Sequence, residues 1–352
     1  MSSIAMRESN DASCRLPDFL SLGEADRKGI YSALGLRLGM TPDILEKDVW
    51  VCWTLDALFA IGDGKRMAFK GGTSLSKAYQ VISRFSEDVD VTVAHQSLDP
   101  SIDPFDLTLS RKARDRVTSS LNNTLYAYVK NDVEPYFRKL LNSQFPGENW
   151  ALDIAGDGEE LRLTYPSVLG DKDELDPDYI SAYVKIEFGG RNATDPIEEH
   201  IIEPYILGHI GELSVPRATA QVLSGARTFW EKATLAHVEC NRPGVKANSD
   251  RMSRHWYDLY MLADSAVGIS ALADRQLLED VVKYKTLFFN SSYAHYEECL
   301  SGKMRLLPDA QGLSGLKKDY QVMQNRAMLY DVIPTFEQIV DRLRVLEVQI
   351  NN

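Results

Sequence analysis

Residues 69–93, FKGGTSLSKAYQVISRFSEDVDVTV, constrain this chain more than any other stretch. Side chains on a β-strand alternate between faces, so Asp88 and Asp90 point one way while Val89, Val91 and Val93 point the other, towards a core. Two carboxylates on one face repel each other unless a cation lies between them. A hard divalent ion such as magnesium takes oxygen ligands and shares them with substrate phosphates. Upstream, apolar residues lead into Gly71-Gly72, and a short helical pattern then puts Leu75, Ala78, Tyr79 and Ile82 on one face. Backbone N–H groups at such a turn suit anionic phosphate. A plain strand–turn–helix with a solvated acidic end accounts for the glycines but leaves the paired carboxylates without a reason.

The 352-residue length admits two domains or one large, elaborated domain. A content of 44% hydrophobic and 26% charged residues is that of a globular protein. The net charge of −12 argues against a broad surface that coats nucleic acid, so an RNA substrate would need a local basic patch. The densest basic cluster is Arg111, Lys112, Arg114 and Arg116, within a helical pattern over 107–141. It reads either as a solvated helix face or as a contact for RNA phosphates. Cys14, Cys52, Cys240 and Cys299 lie far apart without metal-ligand spacing and are expected as free thiols in a reducing cytoplasm. His95, His200, His209, His237 and His295 also lack such spacing. No stretch is apolar and long enough to span a membrane, and the first residues lack a signal-peptide pattern, which gives a cytoplasmic expectation.

Along the chain, residues 1–20 read as a loose polar arm, and Leu22–Leu38 as a helix. Thr41-Pro42-Asp43 starts a second helix, with a hydroxyl at the N-cap and proline at the first turn, running to about Ile61. Glu46, Lys47 and Asp48 read as its solvated face. A strand over Met67–Phe69 enters the acidic motif. Segments 150–154 and 160–165 flank Gly156-Asp157-Gly158 as a hairpin. In the strand Ile180–Phe188, Val184, Ile186 and Phe188 share one face, and Tyr183, Lys185 and Glu187 the other. Helices follow over Ser224–Cys240, with Phe229, Ala233, Ala236 and Cys240 in one stripe and Lys232 at its edge, and over Arg254–Ala263, where Arg254 and Asp258 have the spacing of a helical ion pair.

The Gly-Gly and Asp-x-Asp spacing resembles the signature of the DNA polymerase β-like nucleotidyltransferase superfamily. The longer pattern, GGTSLSK and then Arg84-Phe85-Ser86-Glu87-Asp88-Val89-Asp90, resembles the AbiEii/AbiGii-type toxin nucleotidyltransferases, the toxin half of bacterial toxin–antitoxin and abortive-infection pairs. The segments RTFWEKATLAH and RHWYDL look like later motifs of the same family, and the likeness runs from about Glu46 onward.

The resemblance implies an α/β fold: a polymerase β-like core with a small mixed sheet, and a helical C-terminal region closing over it. The expected division is 1–64 for the arm and helices packing on the core, 65–215 for the nucleotidyltransferase core and 216–352 for the helical region. It also implies transfer of a nucleoside monophosphate from an NTP to an acceptor hydroxyl, with Mg2+ or Mn2+ held by Asp88 and Asp90. A third carboxylate is expected on a neighbouring strand, Glu187 or, on the hairpin, Asp153; a solvent-facing Lys/Glu pair accounts for Glu187 equally well. Gly71, Gly72, Thr73, Ser74, Lys77, Arg84 and Ser86 are expected around the nucleotide, with Gly72 and Ser74 on the outer phosphates. Lys232 falls on the family's active-site lysine and Asp258 on its second acidic motif, although His255 stands where many relatives carry Asp. A phosphate on Ser86 would repel the triphosphate beside Asp88. The implied acceptor is the tRNA 3′ end and the implied partner an antitoxin encoded nearby. The alternatives are a protein-modifying enzyme that places AMP on a hydroxyl side chain, and a nucleotide-binding regulator without catalysis.

Overall fold

The computed structural model describes residues 18–101, 103–106, 110–155, 158–170, 181–244, 251–326, 328–331 and 333–352. Most of the N-terminal arm and Cys14 therefore lie outside the described residues, as do Gly156 and Asp157. Helices α1 (Glu24–Leu38) and α2 (Pro42–Phe59) come first, then β1 (Met67–Lys70), α3 (Gly71–Lys77), β2 (Val89–Val93) and α4 (His95–Leu98). Next are α5 (Arg111–Tyr128), a π-helical stretch over Val129–Val133 and α6 (Glu134–Gln144). Strands β3 (Ala151–Ala155), β4 (Glu160–Thr164), β5 (Tyr183–Gly189), β6 (Ile197–Ile202) and β7 (Ala218–Leu223) follow. The remaining chain is mostly helical: α7 (Gly225–Asn241), α8 (Ser253–Ala263), α9 (Ala266–Ala273), α10 (Arg275–Phe288), α11 (Ala310–Asn325) and α12 (Phe336–Asn351).

The strands form one mixed seven-stranded sheet in the order β3-β4-β5-β2-β1-β7-β6. β1 runs antiparallel to β2 and parallel to β7, and β2 runs parallel to β5. The alternation in the sequence sets the pleat: Val89, Val91 and Val93 of β2 and Val184, Ile186 and Phe188 of β5 are buried, which turns Asp90 and Glu187 to the opposite face. α2 packs on this sheet against β7 and β5, and with α1 forms part of the first hydrophobic cluster. A second cluster is built from α7–α12, and Leu75 and Ile82 from the acidic motif's own segment belong to it. β7 starts just past the expected boundary at residue 215 and pairs with β1 in the same sheet.

Several local expectations change. α3 ends at Lys77, so Ala78, Tyr79 and Ile82 lie beyond it. Residues 83–85 instead pair with the C-terminal region: Phe85 N–H donates to Met328 O at 2.7 Å and Tyr330 N–H to Ser83 O at 3.0 Å. Thr41 stands at the start of α2 but makes no side-chain capping bond. Glu46, Lys47 and Asp48 are not a solvated face; all three are buried. α2 is apolar on most of its circumference, so its charged turn goes inside with it, and each charge meets a partner there. Glu46 accepts from Ser167 Oγ at 2.6 Å and Val168 N–H at 2.8 Å. Lys47 pairs with Glu87 at 2.7 Å. Asp48 pairs with Lys77 at 2.6 Å and accepts from Tyr205 N–H at 2.6 Å. Among the described residues no helix is long and apolar enough to cross a membrane, and Cys52, Cys240 and Cys299 are free.

Candidate active site

The site lies where β1, β2 and β5 meet α7, α8 and α10. A cavity of about 160 Å³ is lined there by Gly71, Gly72, Arg84, Ser86, Asp88, Asp90, Glu187, Lys232, Arg254 and Lys285, among others. Asp90 is directly opposite Glu187 on the neighbouring parallel strand and opposite Lys70 on the antiparallel one. The side-chain carboxyls of Asp90 and Glu187 are close enough to influence each other's ionisation. Burial pushes the Asp90 carboxyl up to about 7 against the pull of Lys70, with Glu187 and Asp88 adding to the rise. Burial acts the same way on Glu187, but Lys185, 2.5 Å away, outweighs it and holds Glu187 below the usual carboxylate range. Lys185 also stands 3.3 Å from Asp88, whose other oxygen faces Arg254 at 3.7 Å.

The two glycines are required by this crowding. Gly71 has φ +81°, and a Cβ there would run into the Asp90 carboxylate; a Cβ on Gly72 would run into the Arg84 guanidinium and the Ser86 hydroxyl.

The opposite wall is cationic and comes from the C-terminal helices. Asp258 on α8 is fully buried and is its anchor. It receives Arg84 through Nε at 2.7 Å and a second nitrogen at 2.8 Å, and Lys232 Nζ at 2.8 Å. Burial alone would raise the Asp258 carboxyl; Arg84 and Lys232 outweigh it and hold it well below the usual range. The Lys232 ammonium is lowered by burial, opposed by Asp258 and reinforced by Arg84. His255 is likewise driven well down, by burial and then by Lys232 and Arg254, so it stands as a neutral imidazole. Glu231 faces Lys70 at 3.9 Å; its carboxyl is lowered because Lys70 and Lys285 outweigh burial. Glu87, next to the acid pair, receives Lys47 at 2.7 Å and Arg251 at 2.8 Å, which outweigh burial and hold it at about 2.

Of the residues expected from the sequence, Asp88, Asp90, Glu187, Gly71, Gly72, Arg84, Ser86 and Lys232 converge on one cleft, and Asp258 lies directly behind Lys232. Others do not reach it. Lys77 points away, held by Asp48 and seated 3.7 Å over the Tyr205 ring; the Asp48 charge outweighs the effect of burial and the ammonium is raised. The Ser74 hydroxyl donates back to Gly71 O at 2.9 Å, and Thr73 Oγ1 donates to Asp88 O at 2.5 Å, bracing the acidic loop rather than facing the cavity. Asp153 sits on β3, two strands beyond β5. Arg254 turns to Asp88 rather than pairing with Asp258. Sequence reasoning missed Arg254, Lys285, Lys70 and Glu231 as cleft residues. The strand position of Lys70 opposite Asp90 was open to prediction; the helix positions were not. Lys112 and Arg116 on α5 are exposed and do not line this cavity; the Arg111 side chain lies outside the described residues.

Asp88, Asp90 and Glu187 supply only hard oxygen donors, on one face and opposite a cationic wall, so their chemistry fits a divalent cation that shares ligands with phosphate. Among the described residues no three His, Cys, Asp or Glu side chains are grouped so as to hold a metal ion.

A carboxylate-bearing strand pair and a Gly-Gly turn on one mixed sheet, faced by a lysine from α7, form the arrangement expected of a nucleotidyltransferase. The family model "Nucleotidyl transferase AbiEii toxin, Type IV TA system" matches residues 53–342, and the chain belongs to that family. It is a toxin nucleotidyltransferase of a type IV toxin–antitoxin system, for which the family implies an NTP substrate and an antitoxin partner. Among solved structures it is similar to MenT4, a nucleotidyltransferase toxin of Mycobacterium tuberculosis, at 19% identity and a TM-score of 0.44, covering 94% of this chain and 98% of that one. Comparison with curated proteins gives no match.

Proposed function

We propose that this toxin transfers a nucleoside monophosphate from an NTP to the 3′-hydroxyl end of tRNA, in a magnesium- or manganese-dependent reaction in the cytoplasm. The observation that carries this reading is the single cleft that sets Asp88, Asp90 and Glu187 against Lys232, Arg254 and Lys285. Asp88, Asp90 and Glu187 would hold the divalent ion, which would neutralise the triphosphate and orient in-line attack. Lys232 offsets the charge that builds on the leaving pyrophosphate, and a fixed cation in a site poor in water is worth far more than one in solution. Asp258 orients Lys232 and Arg84 from behind. Gly71 and Gly72 let the chain approach the phosphates without a side chain in the way. Lys112 and Arg116 offer a local docking surface for RNA phosphates on an otherwise acidic chain.

The test is induced expression of the wild type and Asp88→Ala in a bacterial host, with sequencing of tRNA 3′ ends. Growth arrest with extended tRNA ends in the wild type only is the expected result. Equal arrest by both proteins, with unaltered tRNA ends, counts against catalysis and favours a binding protein; AMP found on proteins instead favours the protein-modifying enzyme.

A further inference from the structure

A second cavity, of about 430 Å³, adjoins the first and shares Lys70, Asp90 and Glu187 with it. The two differ in character. The first carries the buried Lys232 and the half-buried Lys285, whereas the second carries Glu159 and Glu160 and is also lined by Arg191 and Phe289. Each cavity is lined by four carboxylates, but the first has Lys70, Arg84, Lys232, Arg254 and Lys285 to offset them and the second only Lys70 and Arg191, so the triphosphate donor belongs in the first cavity. Nucleotidyl transfer needs the attacking oxygen and the departing pyrophosphate roughly in line, on opposite sides of the α-phosphorus. With Asp90 and Glu187 between the two cavities, the second is on the acceptor's side.

Its rim fits one kind of acceptor. Phe289 follows α10 and is 37% exposed, so part of its ring is open to a ligand. The Arg191 guanidinium stands 5.5 Å from its centroid, anchored to Glu159 at 3.0 Å, and Lys285 Nζ stands 4.8 Å from the same ring. An exposed aromatic ring beside a planar cation is the chemistry that takes an unstacked nucleobase and its phosphate.

We infer that this second cavity receives the 3′-terminal nucleoside of an RNA acceptor, with Phe289 as its stacking platform and Arg191 as its phosphate contact. The inference rests on the reading that Asp88, Asp90 and Glu187 centre the transfer. The terminal hydroxyl oxygen forms a bond to the α-phosphorus, the bond from that phosphorus to the α,β-bridging oxygen breaks, pyrophosphate leaves through the first cavity and the hydroxyl proton passes to water. Phe289 and Arg191 are positioning residues, and neither touches the reacting phosphorus.

The full chain is tested with a short fluorescent RNA ending in a 3′-hydroxyl, by anisotropy, alongside equilibrium dialysis of labelled NTP. Phe289→Ala is expected to weaken RNA binding about tenfold, the loss of one stacked base, while NTP affinity holds; Phe289→Trp is expected to restore RNA binding. The ring is exposed, so the variant keeps its fold, which a thermal melt checks. RNA binding by Phe289→Ala equal to wild type overturns the inference, as does an equal loss of NTP affinity, which would give the cavity to the donor. A wild type that binds no RNA and labels a protein hydroxyl also overturns it. Asp88→Ala runs in parallel for label transfer: activity there would fail the carboxylate reading itself, whatever Phe289 does.

Discussion

Replacing Asp258 by Asn removes one charge and almost no volume, and it is expected to be among the most damaging single changes in this chain. The Asp258 side chain is 0% exposed, and its two cations, Arg84 and Lys232, are 3% and 9% exposed at the side chain. Both cations are largely shielded from water, so neither is well solvated once the carboxylate is gone. Breaking a buried ion pair from one side typically costs about 3–5 kcal/mol. At roughly 2 °C per kcal/mol for a chain of this size, the melting temperature should fall by about 6–10 °C. The pH dependence follows from the sign of the shift. Asp258 is held below its unfolded value, so its contribution is full above the ordinary carboxylate range near 4 and is lost as pH falls through the depressed folded value. The gap between wild type and Asp258→Asn should therefore be full at neutral pH and shrink in strong acid. Thermal melts across pH read this directly, and a cycle with Arg84→Ala separates pair from bystander. Each single variant leaves a buried charge behind, so the double variant should cost less than the sum by about 1–3 kcal/mol. An Asp258→Asn protein that melts like wild type at pH 7, or singles that simply add, would refute the reasoning.

Asp90→Asn should abolish transfer yet raise the melting temperature of the protein in chelator. Asp90 is raised towards about 7, so its ionisation costs the folded state; the gain from Asn should grow as pH rises from about 4 to 7 and stay level above. Melts in chelator that show no pH-dependent gain would remove the crowded-carboxylate account. Lys232→Ala should lower single-turnover transfer strongly, with Lys232→Arg retaining only a little because a guanidinium is bulkier and spreads its charge. Undiminished transfer in Lys232→Ala would leave Lys232 as no more than a partner for Asp258.

The sequence by itself determined the acidic face and the scaffold that presents it. Strand alternation is local, so the orientation of Asp90 relative to Val89 and Val91, and of Glu187 relative to Ile186 and Phe188, was legible without a fold. So was the Gly-Gly turn, since Gly71 and Gly72 leave room that any Cβ would fill. The spaced motifs added the family and, through it, Lys232 and Asp258. The tertiary structure decided which groups meet. Glu187 rather than Asp153 adjoins the acid pair because β5 is placed beside β2, a fact of strand order that no local pattern encodes. Lys77 and Ser74 belong to the motif by sequence but face inward, because α2 brings Asp48 to Lys77 and the short α3 takes the Ser74 hydroxyl back to its own first carbonyl. The charged turn Glu46-Lys47-Asp48 looked like a surface because its partners, Val168, Glu87, Lys77 and Tyr205, lie 29 to 157 residues away. Arg254 shows the same limit: an i,i+4 pair with Asp258 was the local expectation, but Arg84 and Lys232 already saturate that carboxylate, and Arg254 is left to face Asp88 across the cleft. A buried charge goes to whichever counter-charge the packing brings within reach, and in this chain that is settled by helix docking and strand order, not by neighbours in sequence.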